Sequence, residues 1–418
     1  MAVDHVCVVG LGYVGLPTAA VLASRGIQVT GVDTNPTTVE TINNGKPHIV
    51  EPDLDMVVYG AVSAGKLTAS ASAVPADAFI LAVPTPFDAD RKPDLQHLQA
   101  ATHAIADILK VGDLVIVEST VPVGATAQVG AWLAEARPDL KIPVSDDPSA
   151  EHDICISHSP ERVLPGQVLL ELVRNDRVIG GLGHDCAQKT ADLYRAFVEG
   201  EMHLTDAKTA ELVKLSENAY RDVNIAFANE LANVAEPLGI NVREVIELAN
   251  RHPRVNVLNP GPGVGGHCIA VDPWFIVATD PENTPLIRTA REVNDGRPAT
   301  IAMQIANTDG AKAGGVIACL GLSYKADIDD LRESPSIEVI KQVRQLIKNQ
   351  ILVVEPNVDE LPASLQDIDG IKLVSLDQCL EEAAVLVLLT DHRVFKSIPT
   401  DILEAKDTID TRGVWVLT

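Results

Sequence analysis

A chain of 418 residues is long enough for two or three domains with separate cores, which excludes a small module held together by staples. Asp and Glu outnumber Lys and Arg by 58 to 33, and the resulting formal charge of −25 repels polyphosphate backbones, which argues against a nucleic-acid partner. Hydrophobic residues make up 46%, yet no apolar run approaches the roughly 20 residues that span a bilayer, so a soluble protein with no membrane partner is expected.

No basic segment, long apolar stretch and cleavage site precede the first apolar run, Val6-Cys7-Val8-Val9, so no signal peptide is read and a cytoplasmic location is expected. From there to about residue 200, apolar runs alternate with helical patterns: His5 to Val9, Gln28 to Val32, Ala78 to Val83, Leu114 to Glu118 and Ile154 to Ser157. Such βα repetition predicts a parallel sheet covered on both faces. From Asp206, a suitable N-cap, to about Pro237 the chain reads as one long helix with apolar residues on more than one face, hence buried between other elements. Shorter helical patterns follow to about residue 300, broken by Asn259-Pro260-Gly261-Pro262-Gly263. After Gly310 to Gly315 the βα alternation resumes at Val316 to Leu320, Ile351 to Val354, Ala384 to Leu389 and Thr408 to Ile409. The expected organisation is α/β: two Rossmann-like parallel-sheet domains, 1–204 and 301–418, joined by a long helix and a central helical region within 205–300.

Gly10-x-Gly12-x-x-Gly15 follows the first strand directly and opens a helix. The glycines, with Tyr13 and Val14 between them, permit a tight turn and bring a pyrophosphate close to the helix N-terminus, where amides point at the anion. A second strand ends at Asp33, 21 residues after Gly12, where a carboxylate can accept hydrogen bonds from both ribose hydroxyls and would repel a 2′-phosphate. The cofactor expected is NAD rather than NADP. Two later turns leave the carboxyl ends of strands, Val83-Pro84-Thr85-Pro86 and Glu118-Ser119-Thr120-Val121-Pro122; their hydroxyls can line the nicotinamide side or serve the turns themselves.

The six cysteines, Cys7, Cys155, Cys186, Cys268, Cys319 and Cys379, form no CxxC pair and read as reduced thiols. Five of them read as small buried hydrophobes. Cys268 differs, because it follows the glycine-rich run Gly261-Pro-Gly263-Val-Gly265-Gly266-His267, whose amides can form a nest for an oxyanion or a phosphate. Asp272 lies four residues on, and Lys214 and Asn218 share a face of the long helix. Adjacent His267 and Cys268 do not chelate one ion together, and no metal is assigned. NAD, a thiol and a buried lysine together permit two successive oxidations of an alcohol, with the thiol retaining the aldehyde between them and water releasing a carboxylate. Lys214 and Asn218 would stabilise the oxyanion, and Glu161 or Asp272 would move the proton. A two-electron hydroxyacid dehydrogenase and a non-catalytic NAD-binding regulator are the alternatives.

The run from Gly10-Leu-Gly12-Tyr-Val-Gly15 to Gly321-Leu-Ser-Tyr324-Lys325 resembles the UDP-glucose/GDP-mannose dehydrogenase family over nearly the whole chain. Ser119-Thr120-Val121-Pro122-Val123-Gly124, Ser159-Pro160-Glu161, Lys214-Leu-Ser-Glu-Asn218, the cysteine loop and Asp330-Leu-Arg332-Glu-Ser-Pro335 stand in the family's order. The resemblance implies an N-terminal NAD domain, a central region that forms a homodimer, a C-terminal nucleotide-sugar domain, and two-step oxidation at C6 of the sugar. It makes Cys268 the covalent nucleophile, Lys214 and Asn218 the oxyanion holders, and Thr120, Glu161 and Asp272 the managers of water and protons. Where the UDP-glucose branch has a second glutamate, four residues after the first, this chain has Pro165. Glu161-Arg162-Val163-Leu164 and Arg251-His252-Pro-Arg254 resemble the N-acetylhexosamine branch, which implies a UDP-N-acetylhexosamine substrate, the mannosamine epimer ahead of the glucosamine one. With Arg221, Gly263, Gly265, Tyr324, Lys325 and Arg332, these residues are the expected substrate contacts.

Overall fold

Runs such as VCVV (6–9), LVIV and VLVL are apolar at every position, the pattern of strands covered on both faces, and each lies inside a sheet whose partners run parallel to it. The computed structural model describes residues 3–88, 90–147, 151–164, 166–183, 185–266 and 269–415, in two units: Met1–Glu217 with Trp274–Pro281, and Asn218–Pro273 with Glu282–Thr418.

The first unit carries eight strands: β1 His5–Val9, β2 Gln28–Val32, β3 Leu67–Ser70, β4 Ala78–Leu81, β5 Leu114–Val117, β6 Cys155–His158, β7 Arg177–Gly181 and β8 Met202–Asp206. Their spatial order is β3-β2-β1-β4-β5-β6-β7-β8. Alternate residues of β1 serve opposite faces, Val6 and Val8 in one core, Cys7 and Val9 in the other. The sequence predicts five strands here, all parallel. The structure adds β3, β7 and β8, and β7 runs antiparallel to β6, with Ser157 opposite Gly181.

In the second unit β9 Ile317–Leu320, β10 Ile351–Val354, β11 Ile371–Leu373, β12 Val385–Leu388 and β13 Asp407–Asp410 take the order β11-β10-β9-β12-β13 with every pair parallel. This is the order of β3-β2-β1-β4-β5, so each unit has a doubly wound sheet whose strand order reverses beside its first strand, β1 or β9, the place where such sheets bind ligands. The protein is thus α/β with two Rossmann-like sheets and a helical region between them in sequence.

The long helix spans Ala207–Ala235. Asp206 caps it as expected, accepting from the Thr209 amide at 2.9 Å and the Thr209 hydroxyl at 2.7 Å. Among the described residues no helix is long and apolar enough to cross a membrane.

Candidate active site

Gly10 leaves β1 at φ 94°, and a Cβ there would stand 2.4 Å from the Ala82 carbonyl oxygen. A Cβ on Gly15 would meet the Gly10 carbonyl oxygen at 1.9 Å, so only glycine lets the helix Gly15–Ser24 start this close to the strand. At Gly12 a Cβ would meet nothing within 4 Å. The turn is therefore tight at both ends and open in the middle, with the helix N-terminus behind it, a cradle that fits a pyrophosphate. Tyr13 and Val14 line the turn. The Asp33 carboxylate ends β2 beside this loop, accepting from the Leu11 amide at 3.3 Å and the Asn35 amide at 2.8 Å. These residues fit NAD. Asp33→Ala is expected to weaken NAD by about 10- to 100-fold, the loss of charged hydrogen bonds, and to narrow the preference over NADP; dissociation constants for both cofactors measure this, and an unchanged ratio would contradict it.

The two later turns are stitched together. Ser119 Oγ donates to the carbonyls of Val83 at 2.7 Å and Leu81 at 3.2 Å, and Thr85 Oγ1 donates to the Thr120 carbonyl at 2.6 Å. Those hydroxyl protons hold the Pro84 and Ser119–Thr120 turns in shape at the carboxyl ends of β4 and β5. Just beyond, buried Glu211 of the long helix accepts from the Gly124 amide at 2.6 Å and from the Thr126 amide and hydroxyl at 2.7 and 2.6 Å. Sequence reasoning missed Glu211, whose caps fasten the helix turn before Lys214 to the segment after Thr120.

Lys214 is buried, as expected, at 7% exposure, with no hydrogen-bond or ion-pair partner among the described residues. Near it lies His158, which donates from Nδ1 to the Val117 carbonyl at 2.9 Å. Burial first, and the Lys214 charge second, push the His158 imidazole down to about 3, so it stays neutral at physiological pH.

Glu161 is also buried, with its carboxylate 2.9 Å from Arg177 and accepting from the Arg162 amide at 2.5 Å. Arg177, at the start of β7, also faces Glu118, which accepts from the Tyr194 hydroxyl at 3.2 Å. Burial pushes Glu118 up to about 8; Arg177 opposes the shift and Glu161 adds to it. One guanidinium therefore compensates one carboxylate, and Glu118 carries its proton at neutral pH. Because the folded state holds that proton more tightly than the unfolded chain, the contribution is fully present below the ordinary glutamate range and is lost as pH rises through about 8. Glu118→Gln is expected to flatten the fall in melting temperature between the ordinary glutamate range and about pH 8; an equal fall in both proteins would show that Glu118 does not hold the proton. The other predicted contacts of this unit are more exposed. Arg162 pairs with Glu217 at 2.6 Å and donates to the Asp176 carbonyl, Val163 is half-buried and Leu164 exposed.

In the second unit Asn218 donates from Nδ2 to Asp272 at 2.5 Å, so two residues predicted for separate duties are in contact. A buried polar network holds the glycine loop. Arg291 pairs with Asp222 at 2.5 Å, Asn294 Nδ2 donates to Asp222 Oδ1 at 2.8 Å, Asn229 donates to Asn294 at 2.9 Å, and Asn229 in turn accepts from the Gly261 amide at 2.9 Å. None of the four side chains, Asp222, Asn229, Arg291 and Asn294, was singled out in the sequence. The loop lies against the turn after β9. A Cβ on Gly265 would meet Tyr324 Cβ at 2.6 Å and the Glu333 carbonyl oxygen at 2.7 Å, and the Gly266 amide donates to the Arg332 carbonyl at 3.1 Å. Pro298, inside the helix Pro285–Asn307, has no amide proton to give the Asn294 carbonyl, and that oxygen stands 3.2 Å from where a Cβ on Gly263 would be.

The structure thus gathers Gly263, Gly265, Tyr324 and Arg332, predicted from distant stretches, at the carboxyl end of β9. Lys325 follows Tyr324 in the same turn. The Arg332 guanidinium pairs with Asp330 at 2.6 Å and is half exposed. Arg221 is exposed on the long helix. Arg251, His252 and Arg254 are exposed after the helix Val242–Ala249, with Arg251 paired to Glu247 at 2.8 Å. His267 and Cys268 lie outside the described residues.

A dinucleotide cradle that fits NAD, a buried lysine and a second Rossmann-like sheet define an NAD-dependent dehydrogenase. Residues 4–198 match the NAD binding domain of the UDP-glucose/GDP-mannose dehydrogenase family, 208–296 its central domain and 318–416 its UDP binding domain. The chain belongs to this family of nucleotide-sugar dehydrogenases. It is 56% identical over 410 residues, 98% of this chain and 96% of the relative, to an NDP-N-acetyl-D-galactosaminuronic acid dehydrogenase of Ralstonia solanacearum. It is 53% identical over 423 residues, 99% of this chain and 100% of the relative, to a UDP-N-acetyl-D-mannosamine dehydrogenase of Yersinia pestis. The solved UDP-D-ManNAc dehydrogenase of Pyrococcus horikoshii superposes with a TM-score of 0.87 at 37% identity, covering 99% of this chain and 96% of that one.

Proposed function

We propose that the protein oxidises UDP-N-acetyl-D-mannosamine at C6 to the uronate, in two steps, each removing a hydride. The buried, uncompensated Lys214 carries this reading, because it is a cation held where an oxyanion can use it. The names of the relatives support the substrate class, and the galactosamine-type sugar is the second reading because of the Ralstonia relative. NAD, when bound at the Gly10–Gly15 cradle and Asp33, accepts hydride.

The chain's own residues do the rest. The Cys268 thiolate adds to the C6 aldehyde left by the first oxidation, giving a thiohemiacetal. Loss of a second hydride gives a thioester, and water cleaves it, returning the thiolate and releasing the carboxylate. Lys214 and Asn218 hold the oxyanion at each tetrahedral stage. Of the two carboxylates, Glu161 is committed to Arg177, so Asp272, oriented by Asn218, takes the proton, with Thr120 placing the water. Tyr324, Lys325, Arg332 and the Gly263–Gly265 amides hold the diphosphate and sugar, Glu161 to Leu164 frame the sugar, and Arg221, Arg251, His252 and Arg254 complete the site.

A cytoplasmic homodimer is part of the proposal. Tyr220, Phe227, Val234, Leu238 and Leu248, between 51% and 73% exposed, crowd the helical region and call for an apolar cover. The test is NADH formed per limiting sugar with excess NAD. Two per UDP-N-acetylmannosamine supports the reading; one leaves a two-electron enzyme, and none with turnover of the galactosamine sugar selects the second reading.

A further inference from the structure

At the amino end of β6, four metal-ligand atoms converge from two segments that the sequence separates. The side chains of His152, Cys155, Asp185 and Cys186 each offer a ligand atom, all within 4.8 Å of one another. His152 Nε2 lies 3.5 Å from Cys155 Sγ, 3.7 Å from Cys186 Sγ and 2.8 Å from Asp185 Oδ1. A ring nitrogen has one proton or one lone pair to share, so Nε2 itself can serve only one of these three neighbours by hydrogen bonding. A tetrahedral ion can take one ligand atom from each of the four side chains. With zinc–sulfur and zinc–nitrogen bonds of about 2.3 and 2.05 Å, the sulfur–nitrogen edge of such a tetrahedron is about 3.5 Å, close to both observed sulfur–nitrogen separations, while the nitrogen–oxygen edge of about 3.3 Å requires the half-exposed Asp185 carboxylate to draw back slightly from the ring on binding.

The surroundings are built to match. A Cβ on Gly183 would stand 2.9 Å from the His152 ring and 3.3 Å from Cys186 Sγ, so a side chain there would have to push the His152 ring aside. Lys189 Nζ lies 3.2 Å from Cys155 Sγ and 2.9 Å from Asp185 Oδ2. Two thiolates and a carboxylate against a divalent cation leave one negative charge, which the Lys189 ammonium balances. Asp185 is 47% exposed and gives an ion a way in.

We infer that His152, Cys155, Asp185 and Cys186 bind one zinc ion as a tetrahedral structural site, a role separate from the oxidation chemistry. Cys155 begins β6 and the cofactor turns leave the carboxyl ends of β1, β4 and β5, so the site is at the opposite, amino-terminal end of these parallel strands. It would clamp the segment entering β6 to the helix Cys186–Tyr194.

The experiment uses the full-length chain, stripped with chelator, reloaded with zinc or cobalt(II) under reducing conditions and assayed for bound metal by mass spectrometry. One zinc per chain is expected in the wild type and in Cys268→Ser. Cys155→Ser and Cys186→Ser are expected to lose affinity by more than about tenfold, as is His152→Gln, a milder change at a partly exposed side chain. NAD binding by the variants reports that the sheet still folds. Cobalt should give intense tetrahedral d–d bands with thiolate charge transfer. A wild type that takes up no zinc, zinc retained equally in all three variants, or octahedral cobalt spectra would overturn the site. So would a Cys155–Cys186 disulfide in protein that excludes zinc even after reduction, which would make the pair a redox couple instead.

Discussion

Cys268→Ser is expected to abolish uronate formation, by on the order of 10⁴-fold or more, while sparing NAD binding and leaving some first-step hydride removal. The serine hydroxyl has the geometry of the thiol but none of its thiolate character near neutral pH, so the aldehyde is not captured. NADH per sugar should fall from two toward one or below, with aldehyde detectable by a carbonyl trap. The cradle that binds NAD is built from Gly10 to Gly15 and Asp33 and shares no residue with the cysteine loop, so cofactor affinity is the internal control. Full acid production with two NADH per sugar in this variant would remove the covalent step from the mechanism, and with it the reason for a thiol after the glycine loop.

The second large effect is expected at Lys214. Lys214→Ala should lower kcat by about 10²- to 10³-fold, the range seen when one oxyanion donor is removed, with a much smaller change in KM. Folding should survive. The ammonium has no carboxylate partner among the described residues, so its removal strands no buried counter-charge and relieves the charge beside His158. A melting temperature at or above that of the wild type beside a large loss of kcat would separate an electrostatic role from a structural one. Near-normal turnover would reduce Lys214 to a buried lysine without function. Lys214→Arg is a useful companion, because it keeps the charge in a wider fork and should recover little activity if position matters as much as sign.

The sheets were legible wherever burial on both faces leaves an uninterrupted apolar run, as in β1, β5, β9 and β12. The strands that escaped are of another kind. Met202–Asp206 is an edge strand with three exposed residues, and Leu67–Ser70 and Ile371–Leu373 also sit at sheet edges, where one side needs no apolar cover. Arg177–Gly181 begins with a buried arginine, which reads as surface until Glu118 and Glu161 are known to stand around it. The glycine cradle and the Lys214–Asn218 pair could be read because their spacing is local to one turn or one helix face, and Asp33 because it stands at the end of the next strand, 21 residues after Gly12. The Asp222–Arg291–Asn294–Asn229 network could not, since its members lie on two helices far apart in sequence and look like ordinary solvent-facing polar residues. The ligands His152 and Cys155 carry a local spacing, but their partners Asp185 and Cys186 come from the far side of β7.

The contact of the glycine loop with Tyr324 and the turn at Glu333 to Pro335 also bears on how this protein can vary. At Gly265 even one methyl group would overlap the Tyr324 Cβ and the Glu333 carbonyl, and at Gly263 it would press on Pro335 and on the Asn294 carbonyl. Neither glycine takes part in bond making, yet neither can drift alone. In a saturation library both positions should be almost empty of survivors, including alanine, and viable exchanges should come paired with changes at Tyr324 or Pro335. The loop and the turn are expected to vary only as a single block, so a graft from a relative with another sugar preference must move both pieces together.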